Sequence, residues 1–139
     1  GFVKSMVDDY SGAIQDYNNC IMLGHRKNEA LYERGYSKYQ AGQYTEAIED
    51  FNLAISNDSK YAHAYRYRGM SKANLNKHKE AINDYNMAIK HDTESDDLYV
   101  LRGESQIALG KSKAACKDWQ KAAAMGNTGA TYLVLKNCK

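Results

Sequence analysis

Ala47-Ile48-Glu49-Asp50-Phe51 is one of four copies of a single five-residue pattern: alanine, isoleucine or cysteine, a variable residue, aspartate and an aromatic residue. The other copies are Ala13-Ile14-Gln15-Asp16-Tyr17, Ala81-Ile82-Asn83-Asp84-Tyr85 and Ala115-Cys116-Lys117-Asp118-Trp119, so each copy begins 34 residues after the last. A fixed period of this length indicates a repeat array. Because the period runs through the whole chain, it leaves no room for a second, unrelated domain.

Each repeat carries the signals for two helices joined by a tight turn. In the clearest copy, apolar residues at helical spacing predict a first helix over residues 29–40 and a second over residues 45–56, with Ala41-Gly42-Gln43 between them. Glycine inside a helix costs about 1 kcal/mol relative to alanine. Its recurrence inside the first helices therefore predicts a close helix crossing that a side chain would block, at Gly35, Gly69 and Gly103.

These positions resemble the signature of the tetratricopeptide repeat family, which places a large residue, glycine, alanine, an aromatic residue and alanine along 34 positions. The matching residues are Leu31, Gly35, Ala47, Phe51 and Ala54, then Tyr65, Gly69, Ala81, Tyr85 and Ala88, then Tyr99, Gly103, Ala115, Trp119 and Ala122. The resemblance implies an all-α fold, an α-solenoid of antiparallel helix pairs closed by a C-terminal capping helix.

The predicted organisation is a single array over residues 1–139. It comprises a partial repeat over 1–27, repeats over 28–61, 62–95 and 96–127, and a capping helix over 128–139. Because Gly1 stands at the repeat glycine position, we expect the first repeat to lack the front half of its first helix, as in a fragment of a longer protein. The closing segment, with Cys116, the Gly126-Asn127 turn and Cys138, also resembles the ends of bacterial arrays, especially those of the Bacteroidetes.

Two departures from the family pattern have structural consequences. The family's usual proline is replaced by Ser59, Thr93 and Asn127, so we expect side-chain helix caps from Ser59, Ser95 and Asn127. An arginine precedes each repeat glycine, and an aspartate follows each arginine by 16 residues. This recurrence predicts a partly buried, bidentate ion pair within each repeat. The alternative is two independent surface charges; the residues concerned are Arg34 and Asp50, Arg68 and Asp84, and Arg102 and Asp118.

The composition and motifs indicate no catalysis, cofactor or metal. The net charge is +2 with 26% charged residues, and the lysines are dispersed among acidic residues, which disfavours nucleic acid as a partner. The four histidines include no pair at helical spacing for a metal, and the chain contains neither a phosphate-binding loop nor a nucleophile elbow. No apolar run approaches the roughly 20 residues that a membrane helix needs.

The cysteines are too few and too irregular to define a framework. Three cysteines leave one unpaired in any scheme, and none forms a C-x-x-C motif. We expect a reduced set, in which Cys20 is a small buried residue, and an intracellular location is favoured. A pairing of Cys116 with Cys138 stays open.

The family resemblance also implies a binding surface, since first helices line a concave groove in such arrays. A three, four, three spacing carried onto this sequence places the following residues in the groove: Glu29, Tyr32, Tyr36 and Tyr39; His63, Arg66, Met70 and Ala73; Asp97, Val100, Glu104 and Ile107; with Phe2 and Tyr67 on or beside the same face. Tyrosine adds contact area at low entropic cost, so this surface suits an extended or helical peptide. Some of these tyrosines would alternatively pack against the neighbouring repeat.

The leading functional interpretation is a non-enzymatic scaffold that binds a protein segment in this groove. Chaperone-binding members of the family hold a terminal carboxylate with lysine, asparagine and arginine. Those positions here carry Tyr32, Tyr36, Tyr67, Asp97 and Leu101, so the resemblance implies no carboxylate clamp and disfavours a co-chaperone. The alternatives are weak self-association as a structural module and a regulatory array attached to an upstream enzyme or sensor domain.

Overall fold

The computed structural model describes Asn18 and residues 27–92 and 94–138. Within residues 27–138 these form seven helices and no strand: α1 (Lys27–Gln40), α2 (Tyr44–Asn57), α3 (Ala62–Asn74), α4 (His78–His91), α5 (Asp96–Ala108), α6 (Ser112–Ala124) and α7 (Thr128–Asn137). The helices predicted from residues 29, 45 and 128 are confirmed, with ends within about two residues of the prediction.

The helices stack in chain order as an α-solenoid, which confirms the predicted fold class. Each helix packs against the next, and the alternate helices α1, α3 and α5 also contact one another. Short connections between consecutive helices make them antiparallel neighbours. The proposed repeat boundaries at residues 28, 62 and 96 fall within the first two residues of α1, α3 and α5. We call the side of the array formed by α1, α3 and α5 the first-helix face.

The repeat glycines allow the close helix crossing that the sequence predicts. A Cβ atom added at Gly69 would lie 2.7 Å from Tyr85 Cε1, and one at Gly35 would lie 2.8 Å from Phe51 Cε1. Tyr85 and Phe51 are almost completely buried. The aromatic ring of each second helix therefore occupies the space where a side chain on the first helix would otherwise stand.

The three predicted arginine–aspartate pairs form, and the alternative of independent surface charges is wrong. Arg68 donates from Nε to Asp84 Oδ2 at 3.0 Å and from Nη2 to Oδ1 at 2.6 Å, and Arg102 donates likewise to Asp118 at 2.8 and 2.6 Å. Arg34 contacts Asp50 through the same two nitrogens. The hydrogen bonds to these carboxylates raise the pKa of Arg34 and Arg102.

Each arginine also binds a third residue that the sequence analysis missed. Nη1 of Arg68 donates to Asn52 Oδ1 at 2.9 Å, and Nη1 of Arg102 donates to Asn86 Oδ1 at 2.9 Å. The corresponding bond of Arg34 goes to Asn18, at 2.6 Å. Because Asn52 and Asn86 belong to the preceding helix pairs, Arg68 and Arg102 each join two successive pairs as well as the two helices of their own.

The expectation of a reduced cysteine set is wrong for Cys116 and Cys138. These residues form a disulfide that joins α6 to the residue immediately after α7, with their Cα atoms 5.8 Å apart. The position of α7 brings them together, since α7 packs against α6 and ends beside it. Cys20 lies outside the described residues.

Only one of the three predicted side-chain caps forms. Asn127 Oδ1 accepts from the Ala130 N–H at 2.8 Å and caps α7. Ser95 precedes α5 but makes no capping bond, and its hydroxyl accepts from Arg66 Nη1 at 3.4 Å. Ser59 does not cap α3, because the residue at the N-cap position of α3 is Tyr61 and no side chain caps that helix.

Candidate functional site

Four tyrosines lie together on the first-helix face, and we call them the tyrosine cluster: Tyr32, Tyr36 and Tyr39 of α1 and Tyr67 of α3. The Tyr67 ring is the centre of the group. Its centroid lies 5.0 Å from that of Tyr36, 5.6 Å from that of Tyr39 and 6.1 Å from that of Tyr32. The first two contacts are edge-to-face, which is a favourable arrangement for aromatic rings.

The tyrosine cluster is half-buried rather than free. Tyr32, Tyr39 and Tyr67 pack against the core that contains Phe51, whereas Tyr36 is held by the rings of Tyr32 and Tyr67. Tyr32 additionally lies 5.2 Å from Tyr61 and 6.0 Å from His63, measured between ring centroids. The alternative noted from the sequence, packing against a neighbouring repeat, thus applies to part of each ring. The remaining ring surface is exposed to solvent.

Burial disfavours ionisation of three phenols of the cluster. Desolvation raises the pKa of Tyr32 well above its ordinary value of 10.0, with further upward contributions from Tyr67 and Tyr61. Burial also raises the pKa values of Tyr39, Tyr61 and Tyr67, and of Tyr85 beneath the face. Tyr32, Tyr39 and Tyr67 therefore hold their protons to higher pH than a tyrosine in water does.

These shifts predict a loss of stability at alkaline pH. In the folded protein these buried tyrosines keep their protons above about pH 10, where the unfolded chain releases them, so the free energy of unfolding should fall as the pH rises through and beyond 10. We expect tyrosinate absorbance near 295 nm to rise together with loss of helical circular dichroism. A Tyr32→Phe variant should show a shallower decline. Complete tyrosine ionisation near pH 10 with the helices intact would contradict this prediction.

Two charged residues of the first-helix face, Arg66 and Asp97, contact each other. Arg66 Nη2 lies 3.5 Å from Asp97 Oδ2, and the Arg66 guanidinium lies 5.8 Å from the centre of the Tyr67 ring. Asp97 also accepts a hydrogen bond from Asn127 Nδ2 at 3.1 Å. The buried Arg66 Nε has no partner within the described part of the chain, which leaves one donor unsatisfied.

A cavity of about 310 Å³ adjoins the tyrosine cluster between α3 and α5. We call it the α3–α5 cavity; its lining residues are Tyr39, Met70, Ala73, Asn74, His78, Tyr85, Leu101, Glu104 and Ser105. Tyr39, Met70, Ala73 and Glu104 were predicted for this face. Desolvation raises the pKa of the Glu104 carboxyl above its ordinary value.

Sequence reasoning missed the far wall of this cavity. His78 and Tyr85 come from α4, a second helix, and the spacing rule considers first helices alone. His78 resembled a loop or surface histidine in the sequence, but it begins α4, is half-buried and places Nδ1 3.1 Å from Ser105 Oγ. Buried serines recur every 34 residues, at Ser37, Ser71 and Ser105, and this series is the sequence signal that could have indicated Ser105 as a cavity-lining residue.

The other described residues predicted for the groove do not line the cavity or belong to the tyrosine cluster. Glu29 is exposed in the first turn of α1. Val100 directs its carbonyl to Trp119 Nε1 at 3.4 Å, and Ile107 is 41% exposed on α5. Phe2 lies outside the described residues.

In the described part of the chain, no group of three or more histidine, cysteine, aspartate or glutamate side chains is arranged to hold a metal ion. None of the described helices combines the length and the apolar character that crossing a membrane requires.

Comparison with known proteins gives a consistent result. A family model described as tetratricopeptide repeat matches residues 8–62 and again residues 32–95. No curated protein matches the chain. The family match spans more than half of the sequence.

Several solved structures share the fold. The first TPR of Spaghetti (RPAP3), bound to the HSP90 peptide SRMEEVD, is 26% identical with a TM-score of 0.75, over 80% of this chain and 90% of that one. The second TPR domain of human RPAP3, in complex with the HSP70 peptide SGPTIEEVD, is 28% identical with a TM-score of 0.73, over 78% and 92%. MamA from Desulfovibrio magneticus is 19% identical with a TM-score of 0.79, over 85% and 67%, and shows the fold alone.

Proposed function

Because the chain belongs to the tetratricopeptide repeat family, we propose that it is a non-enzymatic scaffold that binds a peptide segment or helix of a partner protein. The proposed binding surface is the first-helix face, with Glu29, His63, Arg66, Met70, Asp97 and Glu104 around the tyrosine cluster. The observation that carries the proposal is the cluster itself. Four tyrosines converge there while retaining exposed ring surface.

The physical argument for this surface is one of preorganisation. The rings of Tyr36 and Tyr39 each contact the Tyr67 ring edge-to-face, so little side-chain freedom remains to be lost when a ligand binds. Tyrosine is enriched among residues that dominate binding energy because it combines a large apolar area with a hydroxyl. The two RPAP3 domains, which are similar to this chain, bind peptides. That similarity supports peptide binding as the function of this array.

A Tyr36→Ala substitution tests the proposal. Tyr36 is the cluster member least engaged with the core, so the fold should tolerate its loss, and removing a central aromatic contact should weaken peptide binding about 30-fold. We would select peptides from a random phage-displayed library against the wild-type protein and measure dissociation constants by fluorescence anisotropy. Circular dichroism would establish that the variant is folded.

A matched control is Tyr132→Ala, because Tyr132 lies on α7 away from the cluster and is 62% exposed. It should bind the selected peptides as the wild type does. If Tyr36→Ala binds the peptides with unchanged affinity, the binding site lies outside the tyrosine cluster. Failure of the library to yield any peptide would reject peptide binding.

Self-association is the second candidate, and one observation favours it. Tyr132 and Leu135 on α7 are 62% and 75% exposed, and large apolar side chains exposed on one helix are suited to contact with another copy of the chain. Sedimentation equilibrium over a range of concentrations separates the candidates. A mass that rises with concentration, and that returns to the monomer value in a Leu135→Glu variant, would support self-association.

A further inference from the structure

The α3–α5 cavity combines features that a single ligand group could satisfy. Met70, Ala73 and Leu101 provide apolar surface, while the Tyr39 and Tyr85 rings line the same space. At about 310 Å³ the cavity is at the lower end of the range for ligand sites, which suits one long side chain better than a cofactor.

Glu104 gives the α3–α5 cavity its charge. No lysine, arginine or histidine among the described residues forms an ion pair with Glu104. The basic side chains of this region have other contacts: His78 Nδ1 lies 3.1 Å from Ser105 Oγ, and Arg66 Nη2 lies 3.5 Å from Asp97 Oδ2. Glu104 is an exposed residue of α5 that also lines the cavity, and partial desolvation there raises the pKa of its carboxyl. The site therefore has a carboxylate that a ligand cation would stabilise.

We propose that the α3–α5 cavity receives a lysine or arginine side chain of the bound peptide. The aliphatic stem would lie along Met70 and Leu101, its cationic head would meet the Glu104 carboxylate, and the Tyr39 ring would add a cation–π contact. This inference rests on the proposed peptide-binding function. It adds the chemical class of one peptide residue.

The position of the cavity next to the tyrosine cluster also indicates which kind of residue should lie beside the basic residue in the peptide. Tyr39 belongs both to the cavity lining and to the tyrosine cluster, where its ring centre lies 5.6 Å from that of Tyr67. A peptide whose basic side chain enters the cavity would therefore place an adjacent residue on the cluster. We infer a preferred motif with a basic residue close to an apolar or aromatic residue. It contrasts with the acidic ends of the peptides bound by the RPAP3 domains.

A double-mutant cycle between protein and peptide tests this inference. Peptides selected on the wild-type protein would be synthesised with the basic residue intact or replaced by norleucine, which keeps the stem and removes the charge. On the wild type this replacement should weaken binding about tenfold. On Glu104→Gln it should weaken binding by no more than about twofold, because the charge partner is absent.

The matched control is Glu49→Gln, since Glu49 is an exposed carboxylate on α2. It should preserve the tenfold wild-type response. Selected peptides without a basic residue at a fixed position, or an equal norleucine effect on wild type and Glu104→Gln, would overturn the inference. Both results would leave the proposed function standing, because peptides would still bind. Failure to select any peptide would reject the inference together with the proposed function.

Discussion

Replacing Arg102 by alanine should lower the free energy of unfolding by about 3–5 kcal/mol. Arg102 supplies the two hydrogen bonds that Asp118 receives across the helix pair, and Asp118 is only 6% exposed. The substitution would leave a buried carboxylate without a cation. It would also break the bond from Arg102 to Asn86, which joins this pair to the preceding one. Urea unfolding followed by circular dichroism measures the loss.

The equivalent Arg68→Ala substitution should cost less, about 1–3 kcal/mol. The reason is a second cation at that repeat, since Lys72 Nζ lies 3.1 Å from Asp84 Oδ2. The 34-residue equivalent of Lys72 is Gln106, whose buried Oε1 has no partner within the described residues. The difference between the two substitutions therefore isolates the contribution of the lysine.

A double variant distinguishes loss of the pair from loss of arginine packing. Removing Asp118 as well as Arg102 should recover part of the stability, because no unpaired buried charge would remain. Strict additivity of the two single effects would show that the residues contribute independently. A cost below about 1 kcal/mol for Arg102→Ala would place the pair among ordinary surface ion pairs.

The period of the sequence predicted the helix pairs and suggested the arginine–aspartate contacts. Both members of each contact recur with the glycine at the helix crossing, but the alternative of two independent surface charges was decided only by the structure, in which Arg68 contacts Asp84. The asparagine partners recur with the same period, but an asparagine on a helix surface is equally compatible with hydration. Only the stacking of successive pairs shows that Asn52 faces Arg68.

The residues that the first helices contribute to the candidate site could be proposed from the sequence, whereas the residues that α4 contributes could not. The groove positions implied by the family resemblance place Tyr39, Met70 and Glu104 on one side of the first helices, and the structure brings them to one cavity. The wall supplied by His78 depends on how α4 crosses beneath α3, which no local pattern encodes. The contacts of Arg66 likewise depend on the loop before α5 and on the approach of Asp97.

The disulfide was the feature least accessible to sequence reasoning. Three cysteines give no pairing pattern, and contact between Cys116 and Cys138 depends on α7 lying back against α6. Disulfides persist in oxidising compartments and are rare in reducing ones. The intracellular location favoured from the sequence rested on a reduced set of cysteines, and it stays a prediction.

Replacing Cys116 and Cys138 together by serine should lower the free energy of unfolding by about 3 kcal/mol relative to the oxidised protein. The bond closes a loop with a sequence separation of 22 residues, and opening it restores conformational freedom to the unfolded chain. Because an array is stabilised by contacts between neighbours, the loss should be concentrated at the C-terminal end. Amide hydrogen exchange should accelerate most in α7 and least in α1.

Chemical reduction of the wild-type protein is the matched control for the double serine variant. Treating the wild-type protein with a phosphine should reproduce the destabilisation of the double serine variant, whereas the variant itself should not respond. Alkylation and mass spectrometry of the protein purified without reductant would establish the starting state, since a disulfide removes two thiols from modification. Equal stability of oxidised protein and variant would contradict the prediction, and it would mean that the packing of Ala130 against α6 fixes α7 without the bond. Amide hydrogen exchange in α7 distinguishes stabilisation by packing from stabilisation by the disulfide. If packing alone holds α7, its amides should remain protected from exchange after reduction.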